Sequence, residues 1–407
     1  MLSAESAEIV RATVPAVRAH GSEITGEFYA SMFTAHPELL DLFNRGNQAT
    51  GEQRQALAAS VVAFAEHLLG EGSTPFEPVL ARIAHKHAAL GVSPVQYTIV
   101  GRHLMTAVGT VLGAAVTPAV AAAWDEVYWL FGCLLVAEEA RLYQQAGVSP
   151  DHLWRPWLIV NRVVEAEDTV SLSLEPADGG PVPAFLPGQY VSVAVELPDG
   201  SRQPRQYTVS EAPGRGSLRL TIRRVRGVGG APDGMVSTYL HESAKEGMVL
   251  TVGPPFGDVT LAPGRSPLVL VSAGVGITPM MALLDHVART APEREVVLAH
   301  ADRSPASHAF RDEAAKVGSR LRSFRHLAWY EAPGDAANDG SGPEVHAGLV
   351  DPELVPLPDG AQVYLCGPLP FMRAVRTGLL RRGVPADRIR YEVFGPDLWA
   401  GAPPTDG

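Results

Sequence analysis

The stretch "ARIAHKHAAL" carries two histidines, His85 and His87, two positions apart. Neutral imidazole is a common metal ligand, so the first question is which ring could turn toward one. Successive residues on an α-helix are about 100° apart, which points the two rings to nearly opposite faces. Counting in threes and fours from His87 meets Leu80, Ile83, Ala84 and Leu90, whereas the same count from His85 meets Ala81, Arg82, Ala88 and Ala89. His87 therefore lies on the apolar stripe and faces a core, and His85 is expected to look toward solvent. On the residues alone, such a core histidine is more often a hydrogen-bonded structural group than a ligand. A second chemical stretch, "LVLVSAGVGITPM", puts a Gly-rich turn between an apolar strand and a helix with Pro279 in its first turn. Gly274 and Gly276 permit a close backbone approach, and exposed amides at a helix start attract a diphosphate. Pro279 stands where a full G-x-G-x-x-G would have its third glycine, so the weight of this turn comes from the motifs around it.

These groups need elements to hold them. Up to about residue 147 the pattern is helical, with stretches expected from Ser3 onward and at about 22–35, 52–70, 76–88, 94–114 and 118–145, divided by signals such as "HPE", "GSTPFEP" and "GVSP". Ser3 is placed to cap the first helix, and Glu5 and Glu8 favour its positive end. After "AGVSPDHLWRP" the texture turns β: "PWLIVNRVVEAEDTVSLSLEP", "QYVSVAVELPDG", "RQYTVS" and "SLRLTIRRV" alternate or are β-branched, with Gly and Pro at the joints. That pattern predicts a small antiparallel barrel over 152–262. From 266 to about 400 apolar strands alternate with helical stretches, which predicts parallel strands covered by helices on both faces. The expected organisation is three domains, an all-α one over 1–147, an antiparallel β-barrel and an α/β parallel-sheet domain. The Gly-rich segment 331–344 and the tail 400–407 are expected to be mobile.

Bulk properties exclude several classes. A chain of 407 residues is too long for one compact core. A net charge of −11 argues against sequence-independent nucleic-acid binding. Cys133 and Cys366 form no spaced pair, which excludes a disulfide scaffold or a cysteine metal cluster and fits a reducing compartment. No apolar stretch is expected to reach the roughly 20 residues of a membrane helix, and acidic residues interrupt any signal-peptide reading of "MLSAESAEIVRATV". These features predict a soluble cytoplasmic protein.

The motifs "PGQYVSV", "RQYTVS", "GMVSTYL", "SAGVGITPM", "YLCGP" and "YEVFGP" follow one another in that order. The ordered set closely resembles the ferredoxin–NADP reductase superfamily, an FAD-binding barrel followed by a nicotinamide-nucleotide domain. The resemblance implies that Arg205 and Gln206 bind FAD, with Arg205 as a bidentate cation on the diphosphate. It puts Tyr207 against the isoalloxazine and the Thr208 hydroxyl near the N5 edge. Tyr190 would pack on the cofactor, Val236 and Ser237 would offer amides and a hydroxyl to phosphate, and Phe394 would lie on the flavin face that nicotinamide shares. It assigns the nicotinamide nucleotide to Gly274, Val275, Gly276, Ile277, Thr278 and Pro279, with Arg303, Cys366, Gly367 and Pro368. NADPH or NADH stays open, because Arg303 could neutralise a 2′-phosphate and Asp302 could serve a ribose.

A flavin reductase behind an all-α domain of this length resembles the flavohaemoglobins, and the likeness runs over essentially the whole chain. The family's "R-I-A-x-K-H" pattern is matched by "RIAHKH" and implies that His87, the residue on the apolar stripe, is the proximal ligand of haem b iron. Tyr29 would donate a hydrogen bond to dioxygen, with Gln53 and Leu57 over the distal side and Phe43 wedging the haem. Tyr97 and a carboxylate in "AEEARLY" would complete the proximal side. Helical phase leaves Glu138 and Glu139 equal, and the family pattern selects Glu139. Such a carboxylate raises ligand basicity, a peroxidase-like arrangement. Lys86 and Glu392 match two charged positions that tune the redox centres. The resemblance implies one haem and one FAD per chain, electrons passing from NAD(P)H through FAD to haem, and nitric oxide dioxygenase activity on O2 and NO. It leaves room for lipid or hydroperoxide in the distal pocket and suggests a monomer without nucleic-acid partners or a membrane span. Alternatives are alkyl hydroperoxide or ferric-ion reduction at the same centres, an oxygen or NO sensor or store, and a reductase with a haem-free docking domain.

Overall fold

The computed structural model describes residues 2–43, 51–72, 75–227, 229, 232–334 and 342–395. Part of the Gly-rich segment (335–341) and the whole tail 400–407 lie outside the described residues, so the expectation of mobility there has no structural counterpart. The chain divides into two compact units, Met1–Leu153 with Ser201–Pro204 and the residues from Gly395, and Trp154–Gly200 with Arg205–Phe394.

The first unit is helical: α1 (Ala4–Ala19), α2 (Gly21–Ala35), α3 (Glu52–Leu68), α4 (Glu77–Leu90), α5 (Pro94–Leu112) and α6 (Pro118–Ala146). Polar side chains start these helices. Ser3 Oγ accepts from the Ser6 amide at 3.2 Å, and Thr117 Oγ1 accepts from the Val120 amide at 3.3 Å. Phe64, Phe76 and Phe131 stack or tilt against one another with ring centroids 4.7 to 5.7 Å apart, joining α3, the start of α4 and α6 in one core.

Two expectations need correction here. An 18-residue window of α6, with mean hydropathy 1.4, is long and apolar enough to cross a membrane by composition. The helix instead packs against α1, α3, α4 and α5, and apolar residues of its buried face, among them Trp124, Phe131 and Leu135, form core. The second concerns α4. The face expected to meet solvent is packed, with Arg82, Ala88 and Ala89 buried, while on the expected core stripe Ala84 is buried but Leu80, Ile83, His87 and Leu90 are half-buried, as is His85. Alanines let α4 approach α6 closely, so the small-residue face is the one that packs and the bulkier stripe lines a partly open side.

The second unit holds two sheets. In the first, β1 (Arg155–Ala166), β2 (Thr169–Pro176), β3 (Tyr190–Glu196), β4 (Arg202–Thr208), β5 (Leu218–Arg223) and β6 (Val249–Val252) run in the order β4-β3-β6-β1-β2-β5. The β1–β2, β1–β6, β2–β5 and β3–β6 pairs are antiparallel, and Trp157, Ile159, Leu172, Val193 and Leu220 share its core. The helix α7 (Met235–Ser243) closes it. The four-residue β6 sits between β3 and β1 and was too short to read in the sequence.

In the second sheet β7 (Leu268–Ala273), β8 (Val296–Asp302), β9 (Phe324–Tyr330), β10 (Glu344–Ala347), β11 (Gln362–Cys366) and β12 (Ile389–Glu392) run parallel in the order β10-β9-β8-β7-β11-β12. The helices α8 (Ile277–Thr290), α9 (Arg311–Gly318) and α10 (Leu369–Arg381) connect its strands. β7 and β8 are buried on both sides, which explains their unbroken apolar runs. Three arginines four residues apart tie the sheets together. Arg215 meets Asp285 of α8 at 2.6 Å, Arg219 meets Glu313 of α9 at 2.7 Å and Arg223 meets Asp302 at the end of β8 at 3.2 Å.

Behind β8 three imidazoles cluster. The His300 and His308 rings lie 4.2 Å apart, and His326 sits 5.9 Å from His308. Burial lowers all three pKa values, that of His326 to about 3. A histidine kept neutral in this way contributes stability above its unfolded pKa near 6.5, and that contribution is lost as pH falls below it. His326→Phe is therefore expected to flatten the pH dependence of thermal unfolding of this unit, removing roughly 2 kcal/mol of the loss between pH 8 and pH 5. Melting curves of both proteins across that range test it, and parallel curves would refute it.

Candidate functional site

Three helices bring His87, Tyr97 and Glu139 to one point. His87 Nδ1 lies 2.9 Å from Glu139 Oε1 and 2.9 Å from the Tyr97 hydroxyl, and the Tyr97 hydroxyl donates to the same Oε1 at 2.5 Å. Burial first, and the Glu139 carboxylate second, push the Tyr97 pKa far above the usual phenol range, so it stays a neutral phenol. Its single proton goes to Glu139, so toward His87 its oxygen accepts. With two acceptors facing it, Nδ1 is the donor, which leaves Nε2 on the opposite ring edge, with no hydrogen-bond partner among the described residues, as the nitrogen open to a ligand. The tie between Glu138 and Glu139 is resolved by burial. Glu139 is 2% exposed, whereas Glu138 pairs with Arg141 one turn along the same helix.

On α2 the buried Tyr29 ring stacks on Phe33 (5.6 Å) and meets Phe43 edge-on (5.8 Å). Gln53 and Leu57 are half-buried one turn apart on α3, which packs against α2. Lys86 is half-buried beside His87, and Glu392 is buried on β12 in the other unit.

In the second unit β4 presents Arg205, Gln206, Tyr207 and Thr208. Burial lowers the Arg205 pKa and raises that of Tyr207. Thr208 is buried, and its Oγ1 has no hydrogen-bond partner among the described residues, an acceptor–donor group of the kind a cofactor heteroatom would satisfy. Tyr190 is pinned by two 2.8 Å backbone bonds with Phe256. Val236 is buried in the first turn of α7, where no side chain caps the helix start, so its first amides point outward for an anion. The Ser237 hydroxyl has its proton committed to the Gly234 carbonyl at 3.0 Å and accepts from the Val225 amide, so it shapes this turn rather than donating out of it. Phe394 is 47% exposed.

The nucleotide turn runs as a short 3-10 segment, Gly274–Gly276, into α8, which opens with Ile277, Thr278 and Pro279. A Cβ on Gly276 would stand 2.2 Å from the Cys366 carbonyl oxygen, so this position requires glycine for the turn to reach the end of β11. Val275 is half-buried, and its carbonyl accepts from Thr278 Oγ1 at 3.0 Å. Cys366, buried as the last residue of β11, leads through Gly367 and Pro368 into α10 and pairs in register with Glu392. The Asp302 carboxylate is engaged inside the protein by Arg223, Ser307 and the Arg303 amide. The Arg303 side chain is 55% exposed, with Asp168 3.7 Å away. Sequence reading missed the three bridging arginines, Ser272 bonded to His300 at 2.9 Å, and Tyr128 and Tyr143, whose hydroxyls donate to the Tyr97 and Val92 carbonyls. The visible signal for the arginines was their spacing by four through residues 215–223, the last two of them on β5.

Fold and site together define a haem-type globin domain joined to a two-domain flavin reductase. The chain matches the globin family over residues 26–132, the oxidoreductase FAD-binding domain over 159–261 and the oxidoreductase NAD-binding domain over 270–377. It is 44% identical over 406 residues to a flavohemoprotein of Bordetella parapertussis, covering 97% of this chain and 99% of that one. The solved flavohemoglobin of Malassezia yamatoensis, with bound FAD and heme, superposes with a TM-score of 0.85 at 34% identity, covering 97% of this chain and all of that one. The FAD/NAD-binding domain of a nitric oxide dioxygenase from Vibrio cholerae matches 60% of this chain and 99% of its own, with a TM-score of 0.54 and 36% identity. This chain belongs to the flavohemoprotein family. Gly276→Ala is expected to destabilise the nucleotide domain by about 1–3 kcal/mol and to weaken NAD(P)H binding. Calorimetric unfolding and coenzyme titration of the variant measure both.

Proposed function

We propose that this protein is an NAD(P)H-dependent nitric oxide dioxygenase that converts NO and O2 to nitrate. The observation that carries it is the buried Glu139 carboxylate on Nδ1 of His87, because this contact makes the outward Nε2 an electron-rich ligand. The donor set fits a porphyrin iron at Nε2. The buried Thr208 hydroxyl, the Arg205 guanidinium and the outward amides of α7 fit FAD, and the close turn at Gly276 fits a nicotinamide dinucleotide. When bound, haem supplies an iron at which O2 and NO meet, FAD converts two-electron into one-electron transfer, and NAD(P)H supplies the hydride.

The protein's own part is holding and orienting. Glu139 and Tyr97 keep the proton on Nδ1 and prevent the His87 ring from rotating. Tyr29, held by aromatic contacts on two sides, offers its hydroxyl to the distal pocket with Gln53. Leu57 and Phe43 give that pocket apolar walls, which also suit a lipid or hydroperoxide tail. Arg205 neutralises phosphate, and Tyr190 and Tyr207 supply flat surfaces for the flavin ring. Lys86 and Glu392 act as charges that tune the two centres. In this reading the protein works as a monomer in the cytoplasm.

The test is to follow NO consumption and nitrate formation by the haem- and FAD-loaded protein in air with NADPH or NADH. Wild type is expected to consume NO with nitrate as product. Glu139→Gln is expected to lower that rate by roughly 10–100-fold. Coenzyme oxidation with hydroperoxide and none with NO would replace this reading by a peroxide reductase.

A further inference from the structure

The tyrosines behind the proximal cluster have a common origin. Tyr128, Glu139 and Tyr143 all lie on α6, separated by 11 and 4 residues. Those spacings equal three helical turns and one turn to within about 40°, so the three side chains share a face. All three are buried.

Each meets a different corner of the cluster. Glu139 bonds His87 and Tyr97 directly. The Tyr128 hydroxyl donates to the Tyr97 backbone carbonyl at 2.5 Å. It therefore holds the backbone of α5 at the residue that carries the phenol of the cluster. Gly101 is what admits it, since a Cβ there would stand 2.4 Å from Tyr128 Cε1. The Tyr143 hydroxyl donates to the Val92 carbonyl at 3.0 Å, and the Val92 amide in turn donates to the His87 carbonyl at 3.1 Å. That pair fixes the end of α4 that carries His87.

We propose that Tyr128 and Tyr143 are positioning residues for the proximal cluster, so that one face of α6 sets the carboxylate, the backbone of the phenol and the backbone of the imidazole together. Simple core packing would need the two rings but not their hydroxyls. The hydroxyls are spent on the two backbones from which Tyr97 and His87 project. Hydrogen bonds weaken steeply with angle, so a small rotation of α5 or a slip at the end of α4 would loosen both contacts to Nδ1. The inference rests on His87 being the iron ligand.

The experiment compares Tyr128→Phe, Tyr143→Phe, the double variant and Glu139→Gln in the ferrous haem-loaded protein, reading the iron–imidazole stretching band by resonance Raman. A loosened Nδ1 contact makes the imidazole a weaker donor and moves the band to lower frequency. Each Phe variant is expected to shift it down, and the double variant to approach Glu139→Gln. Nitrogen chemical shifts of His87 in the haem-free protein give a second readout, in which each variant is expected to lose the fixed Nδ1–H tautomer. If one variant does not fold, the other carries the test through the same two readouts. Unmoved bands and unmoved nitrogen shifts in the Phe variants, with Glu139→Gln shifted, would overturn the inference and leave the proposed function standing. An unmoved Glu139→Gln band, or no histidine band in wild type, would overturn both.

Discussion

The hydrogen bond between His87 Nδ1 and the Glu139 carboxylate is the contact around which the helical unit is arranged. A buried carboxylate without partners is costly, so α6 can be placed only where α4 and α5 deliver donors to it. His87, Tyr97 and Glu139 come from three helices and 52 residues of chain, and their meeting fixes how those helices pack. The alanine face of α4 is a consequence. Ala88 and Ala89 are buried to let α4 close on α6, and the bulkier residues around His87 stay at the open side.

The reductase unit uses the opposite device. Its two sheets have separate apolar cores, and charged groups make the junction. Arg219 serves three partners at once: Glu313, the Ser210 carbonyl and the face of Phe310, 4.7 Å from its guanidinium carbon. Such pairs, with Asp285 and Asp302 almost fully enclosed, are directional in a way an apolar seam is not. They fix the orientation of the nucleotide turn relative to β4 and β5, and so relative to Thr208 and Tyr207.

Much of this was legible in the sequence. Helical and strand periods located the elements of both units to within a few residues, because long apolar stripes and buried parallel strands leave strong patterns. The apolar count around His87 expected it in a core and His85 in solvent, whereas both are half-buried, and it misjudged the other face. Alanine is small enough to be core against a close neighbour and polar enough in company to look like surface. Helical phase could not choose between Glu138 and Glu139, since both flank the same stripe and only packing decides which side is enclosed. Contacts that depend on chain segments far apart were invisible. Asp302 read as a group open to a ribose, and it is the partner of Arg223 some 79 residues earlier. β6 and β10, four residues each, carry too little pattern to be seen without their neighbours.

The burial of Cys366 bears on durability. Its pKa is raised well above that of a free thiol by burial, with the Glu392 carboxylate adding to the effect. Oxidants attack the thiolate, so a sulfur held as the neutral thiol is chemically quiet. A catalyst that handles nitrogen oxides and oxygen thus keeps the thiol nearest its coenzyme turn out of sulfenic-acid and nitrosothiol chemistry.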